Sequence, residues 1–294
     1  MDSDCGGFFG RDASGNLGKA IGDGSVPAAT WRRALGNVYR VLMRLGYFDP
    51  DSKNPYRSYG LDRVDTAAHR QLALEAARQG MVLVKNDNKR LPLAKKDVKT
   101  LAAVGPNANA TVTMQSNYHA TAPFLISPVM GLEKYTTVNY AVGCNIADNS
   151  TAGFADAVKK ARAADVTVLV VGLDGSQEGE GHDRTTIDLP GVQGKLISAV
   201  AEASKDPIVL VVMSGGPVDV SAAKANPKVG AILIVGYPGQ SGGQAIAETI
   251  FGDNNPGGKL TQTWYYANYT SEISMFDMNM RPNTTTGSPG RTYR

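Results

Sequence analysis

Four near-continuous apolar runs, at residues 98–104, 166–172, 207–213 and 229–235, constrain this chain more than any other feature. Apolar residues at successive positions, rather than at alternate ones, mark strands buried on both faces. Between these runs lie helical stretches at 152–164 and 191–203, and another at 239–251 follows the last. Strands of this kind alternating with helices build an α/β fold: a largely parallel, doubly wound sheet with helices on both faces, connected by right-handed crossovers. In such sheets ligands bind beyond the carboxyl ends of the strands.

Upstream the pattern differs. Trp31, Leu35, Val38, Leu42 and Leu45 recur at helical spacing between Pro27 and Gly46, which predicts one helix with a single buried stripe. Residues 49–63, broken by Pro50 and Pro55, read as an extended connection. A second helix follows from about Thr66 to Gly80, and then a short strand at 81–87. Residues 1–25 are rich in glycine and small polar residues and resemble the end of an element more than the start of a domain; the tail after Trp264 reads as loop.

Charge and cysteine content exclude several functions. The 30 Lys and Arg against 27 Asp and Glu give a net charge of +3 with no basic block, so no nucleic-acid partner is expected. No apolar run reaches the ~20 residues that span a bilayer, and the N-terminus lacks the basic and apolar regions of a signal peptide. Cys5 and Cys144, with only three histidines, supply no metal framework. Sequons at Asn109, Asn149, Asn268 and Asn283 fit a secreted glycoprotein.

The polar loop that follows the run at 166–172 is the strongest candidate for chemistry. Gln177-Glu178-Gly179-Glu180-Gly181-His182-Asp183-Arg184 places two glutamates at alternate positions among glycines. Crowded carboxylates resist full ionisation together, the condition under which one of them serves as a proton donor. Glycosidic cleavage uses such a donor with a second carboxylate. His182, beside Asp183 and Arg184, reads as a hydrogen-bonded loop residue rather than a base. Gly239-Gln-Ser241-Gly-Gly243 matches a nucleophile elbow, but no histidine follows Ser241 as that hydrolase order requires. The same glycines carry no phosphate-binding signature, so a nucleotide site is not expected.

Residues 72–86 with Leu91-Pro92-Leu93, residues 105–114, Ser127-Pro128, the 177–184 loop, residues 278–282 and Pro289-Gly-Arg-Thr-Tyr-Arg294 together resemble the β-xylosidase branch of glycoside hydrolase family 3. The resemblance covers nearly the whole chain in order. It implies a (β/α)8 barrel, an α/β sandwich and commonly a fibronectin-like domain, with retaining hydrolysis by a barrel aspartate and a sandwich glutamate and with no cofactor. Residues 1–48 are then the end of the barrel, 49–96 a linker with a connecting helix, 97–275 the sandwich, and 276–294 the start of a connection to the fibronectin-like domain. The acid/base maps to Glu178, with Glu180 second, and Asn117, Tyr118 and His182 line the sugar site.

Asp4 lies in a Ser-Asp-Cys sequence that invites assignment as nucleophile. Its setting, Asp2-Ser-Asp-Cys-Gly-Gly, resembles instead an element late in the barrel. On that reading the nucleophile is absent, the isolated chain is inactive or incomplete, and it associates with a missing barrel domain. The implied substrate is a xylo-oligosaccharide or related glycoside in an extracellular setting. The alternative is a non-catalytic remnant that binds carbohydrate or a partner.

Overall fold

The computed structural model describes residues 16–292. They divide into two units, one up to Thr66 and one from Ala67 onward.

The first unit holds α1 (Asn16–Gly22) and α2 (Ala28–Arg44). Pro27 precedes α2 with φ −56°, the value its ring imposes and a helix accepts at its start. The helix forms where expected, but its apolar stripe, expected to be buried, is not: none of the residues of α2 is buried. The stretch expected to run extended instead winds into three 3₁₀ turns, Asp51–Lys53, Pro55–Ser58 and Leu61–Arg63. Side-chain acceptors explain this: Asn54 Oδ1 takes the Tyr56 amide at 3.1 Å and so caps the second turn.

In the second unit α3 (Ala67–Gln79) leads into β1 (Val82–Asn86). Thereafter come β2 (Thr100–Val104), α4 (Pro128–Leu132), β3 (Thr137–Ala141), α5 (Phe154–Ala163), β4 (Val166–Gly172) and α6 (Gln193–Ala203). The unit continues with β5 (Ile208–Met213), α7 (Ser221–Ala225), β6 (Val229–Ile234), α8 (Gly242–Phe251) and α9 (Tyr269–Glu272). The six strands form one sheet in the order β1-β6-β5-β4-β2-β3. All pairs are parallel except β1 with β6, where Val82 lies opposite Ile234 in an antiparallel edge. β1 thus joins the sheet from within the stretch that the sequence suggests is a linker.

The runs that announced the fold are its centre. Every residue of β4, β5 and β6 is buried. Alternate residues feed two separate cores. Val168, Val170, Val209 and Val211 pack toward α3, α4 and α8, whereas Leu169, Val171, Leu210 and Val212 pack toward α5, α6 and α7. Fully burying a side chain of this size contributes roughly 1.5–3 kcal/mol, so the strand runs dominate the stability of the unit.

Among the elements with no counterpart in the periodicity, two are explained by their setting. β3 is an edge strand whose alternate residues stay exposed, so Thr137-Val-Asn-Tyr-Ala141 carries no continuous apolar signal. α4 is set by its cap: Ser127 Oγ accepts the Met130 amide at 3.2 Å and Pro128 opens the first turn.

Candidate active site

The carboxyl ends of β4, β5 and β6 release three loops on the same edge of the sheet. The first carries the acidic sequence. Its base is a single helical turn, in which the Asp174 carbonyl accepts the amides of Gln177 at 3.0 Å and Glu178 at 3.1 Å. The Asp174 carboxylate takes the Ser176 amide at 2.9 Å and fixes the entry to that turn. Then the chain reverses. His182 N donates to Gly179 O at 3.1 Å, Gly179 N donates back to His182 O at 3.3 Å, and Gly181 adopts φ +77°. A positive φ at the third position is the signature of a type II turn, which only glycine adopts without strain. Glu180 occupies the tip.

The two glutamates meet opposite fates. Glu178 turns toward the neighbouring loops, where its Oε1 accepts from the Gly215 amide and from the Tyr237 hydroxyl, the latter at 2.8 Å. Its Oε2 accepts from the Gly216 amide at 3.1 Å and pairs with Arg184 Nη2 at 3.4 Å. Arg184 Nη2 also reaches the Pro217 carbonyl at 3.0 Å. One carboxylate therefore ties the β4 loop to the loops after β5 and β6. Burial, followed by the bond to Glu178, pushes the Tyr237 phenol well above the ordinary tyrosine range, so it donates throughout the working pH range. Glu180 is exposed, and among the described residues its carboxylate has no hydrogen-bond or ionic partner.

Both glutamates line a cleft of about 660 Å³, together with Asn117, Tyr118 and His182. The structure thus gathers the sandwich-side residues suggested by sequence around one opening. Asn117 lies beside the turn: a Cβ placed on Gly179 would meet its Cγ at 3.8 Å. Tyr118 is 76% exposed, and the exposed His182 has Nδ1 3.3 Å from the Ser176 carbonyl. Asp4 and Cys5 lie outside the described residues. Among the described residues no group of three or more His, Cys, Asp or Glu side chains is placed to hold a metal ion.

Sequence reasoning missed Gly215, Gly216 and Tyr237, and the second wall of the cleft, formed by Tyr269, Ile273, Met275 and Arg291. A signal for the first three was present, since Gly215-Gly216 and Gly236-Tyr237 each directly follow a buried run, at the strand ends where ligands gather. Nothing comparable announced the wall, which comes from the irregular tail.

Comparison with known proteins bears on this arrangement. Residues 81–293 match the glycosyl hydrolase family 3 C-terminal domain. Beta-xylosidase/alpha-L-arabinofuranosidase 2 of Medicago sativa subsp. varia is 48% identical over 295 aligned residues, covering 100% of this chain and 38% of that protein. Beta-D-xylosidase 3 of Arabidopsis thaliana is 46% identical with the same coverage. The solved structure of a GH3 exo-beta-xylosidase in complex with a xylobiose aziridine activity-based probe superposes with a TM-score of 0.89 at 42% identity, covering 95% of this chain and 36% of that one. The chain therefore spans well under half the length of the relatives it matches. With a family domain matched over most of its length and close relatives aligned end to end, this chain belongs to glycosyl hydrolase family 3 and contains that family's C-terminal α/β domain.

Proposed function

We propose that this chain carries the acid/base half of a retaining, exo-acting glycosidase site that removes xylose, or arabinose, from the non-reducing ends of xylo-oligosaccharides. The names of its relatives support the substrate class. A two-carboxylate loop over the carboxyl ends of a parallel sheet, in a cleft of about 660 Å³, supports the chemistry.

The two glutamates divide the work. Glu180 is the proton donor in this reading and Glu178 is the anchor of the loop, the reverse of the order drawn from family resemblance. The observation that carries this is the contrast in partners. Glu178 receives four donors from Gly215, Gly216, Tyr237 and Arg184, whereas Glu180 stands exposed at the tip of the turn. Every contact of Glu178 requires it to accept, which suits a fixed carboxylate. A group that gives up a proton and recovers it needs access to the glycosidic oxygen and to water.

In the reaction Glu180 protonates the glycosidic oxygen as its bond to the anomeric carbon breaks. A second carboxylate, about 5–5.5 Å away in retaining enzymes, takes the anomeric carbon. Glu180 then deprotonates the water that releases the sugar. The second carboxylate is an aspartate of a barrel domain that completes the cleft, and the parent protein is an extracellular glycoprotein.

The test is a chimaera in which these residues replace the aligned 38% of the Medicago enzyme. With xylobiose, Glu180→Gln is expected to lower kcat/KM by about 10²–10⁴-fold. With an activated aryl β-xyloside the loss is far smaller, and azide restores turnover. Glu178→Gln is expected to affect both substrates alike, without azide rescue. The opposite pattern returns the acid/base role to Glu178, and an unaffected double variant removes the reading altogether.

A further inference from the structure

A second cleft lies away from the acidic loop and shares no lining residue with it. Its volume is about 660 Å³, and Val84, Leu260 and Trp264 are among the apolar residues that line it. These side chains pack against the buried core formed by alternate residues of β4 and β5, so the apolar surface is held rigid from beneath. Tyr266, 71% exposed, and Lys224 also line it. Among the described residues neither the Tyr266 hydroxyl nor the Lys224 ammonium has a hydrogen-bond or ionic partner.

The walls are preformed. Asp219 accepts the Ser221 amide at 2.7 Å with one oxygen and the Ala267 amide at 2.8 Å with the other. That single carboxylate joins the start of α7 to the chain just after Trp264, Tyr265 and Tyr266. Its oxygens are occupied, so it shapes the cleft rather than binding what enters.

We infer that this cleft is a second, non-catalytic saccharide site, which takes a short neutral β-linked oligosaccharide with one pyranose ring against Trp264 and Tyr266. The argument is chemical complementarity. A pyranose offers a flat face of C–H groups, matched by the core-packed Trp264 and the exposed Tyr266 ring, and an equatorial rim of hydroxyls, matched by an unpartnered phenol and ammonium. Of the charged lining residues, Asp219 is already engaged by two amides, and Lys224 is left to donate to a hydroxyl. The choice of a xylo-oligosaccharide rests on the function proposed for the acidic loop, whereas the location of the site does not.

Calorimetric titration of the whole 294-residue chain with xylotetraose tests this, alongside tryptophan emission. The chain has two tryptophans, so a Trp31→Phe variant assigns the optical signal to Trp264. Saturable binding is expected, weakened about tenfold by Tyr266→Ala, a change at an exposed side chain, and unaltered by Glu180→Gln. Absence of saturable binding overturns the second site. Binding that survives Tyr266→Ala and disappears with Glu180→Gln also overturns it, because the sugar then sits at the acidic loop. Neither result touches the proposed chemistry, which stands or falls on the chimaera's kinetics.

Discussion

The hydroxyl of Tyr237 donates to Glu178 Oε1 at 2.8 Å, joining a residue just beyond β6 to one in the loop beyond β4, with β5 lying between those strands. The bond is long-range and half-buried, and it converges on the same oxygen as the Gly215 amide. Three loops that differ in sequence and length are thereby held as one surface, and the turn bearing Glu180 is built on it.

Tyr237→Phe removes the hydroxyl and keeps the ring. A hydrogen bond to a charged acceptor contributes about 1.5–3 kcal/mol, so the midpoint of urea unfolding should fall with no change in slope. Amide exchange in residues 174–184 should quicken while that of β4 and β5 stays slow. Unchanged exchange in the loop would show that Tyr237 does not hold it.

Gly215 and Gly216 make the close approach of Glu178 possible. A Cβ on Gly215 would stand 3.1 Å from Glu178 Oε1 and 3.2 Å from the Tyr237 ring, and one on Gly216 would stand 2.9 Å from Arg184 Nη2. The obstructed atoms are side-chain ends that can swing away. Gly216→Ala should therefore break the Glu178–Arg184 pair and free the loop without unfolding the sheet. The expected result is a loss of about 1–3 kcal/mol, with core amide protection retained. A variant as stable as the parent, with the loop still protected, would contradict the clamp.

The sheet was far more legible in the sequence than the clamp. Runs such as Val166-Thr-Val-Leu-Val-Val-Gly172 report burial on both faces directly, because burial selects residue types one position at a time. Thr137–Ala141 escaped because an edge strand covered on one face needs no such run. The acidic loop could be found from composition, but not the division between Glu178 and Glu180. That division depends on which carboxylate faces Gly215, Gly216 and Tyr237, residues 37 to 59 positions away. Local pattern carries no record of such distant partners.

Cys144 is a free thiol, 5% exposed, and burial, aided by the nearby Asp148 charge, pushes its pKa up to about 11. The thiolate is the reactive form, so the native chain at pH 8 should leave Cys144 unmodified by iodoacetamide for hours and modify it promptly in urea. Peptide mapping of the alkylated cysteine reads the outcome. Rapid native labelling at Cys144 would mean that its strand-end packing opens readily.

The helix α2 presents Leu35, Val38 and Val41 at 45, 46 and 55% exposure on a helix that buries no residue of its own. Apolar area left uncovered in this way drives association. Light scattering of the isolated chain should show concentration-dependent self-association, reduced by Leu35→Glu with Val38→Glu. A monomer at every concentration would show that this stripe is covered in solution.

The pair formed by Arg78 and Glu248 sets an acid limit on stability. Arg78 Nε and Nη2 meet the two carboxylate oxygens at 2.6 and 2.9 Å, and Gln244 adds a bond at 2.9 Å. Burial works to raise the Glu248 carboxyl, but the Arg78 and Gln244 hydrogen bonds and the Arg78 charge outweigh it and hold the group below the usual carboxylate range. A carboxyl lowered in the folded state binds its proton more weakly there than in the unfolded chain. Its contribution is therefore fully present above the unfolded pKa of about 4.3 and lost as the pH falls through the lower, folded value. Unfolding free energy should be flat in this contribution between pH 5 and 8, as an order-of-magnitude window, and decline below about pH 4. Glu248→Gln removes the bidentate partner of Arg78 and leaves it the longer pair with Glu75 at 3.5 Å, so it should cost about 1.5–3 kcal/mol at pH 7, with a shallower acid slope than the parent. Parallel acid slopes for parent and variant would assign the acid sensitivity to other carboxylates.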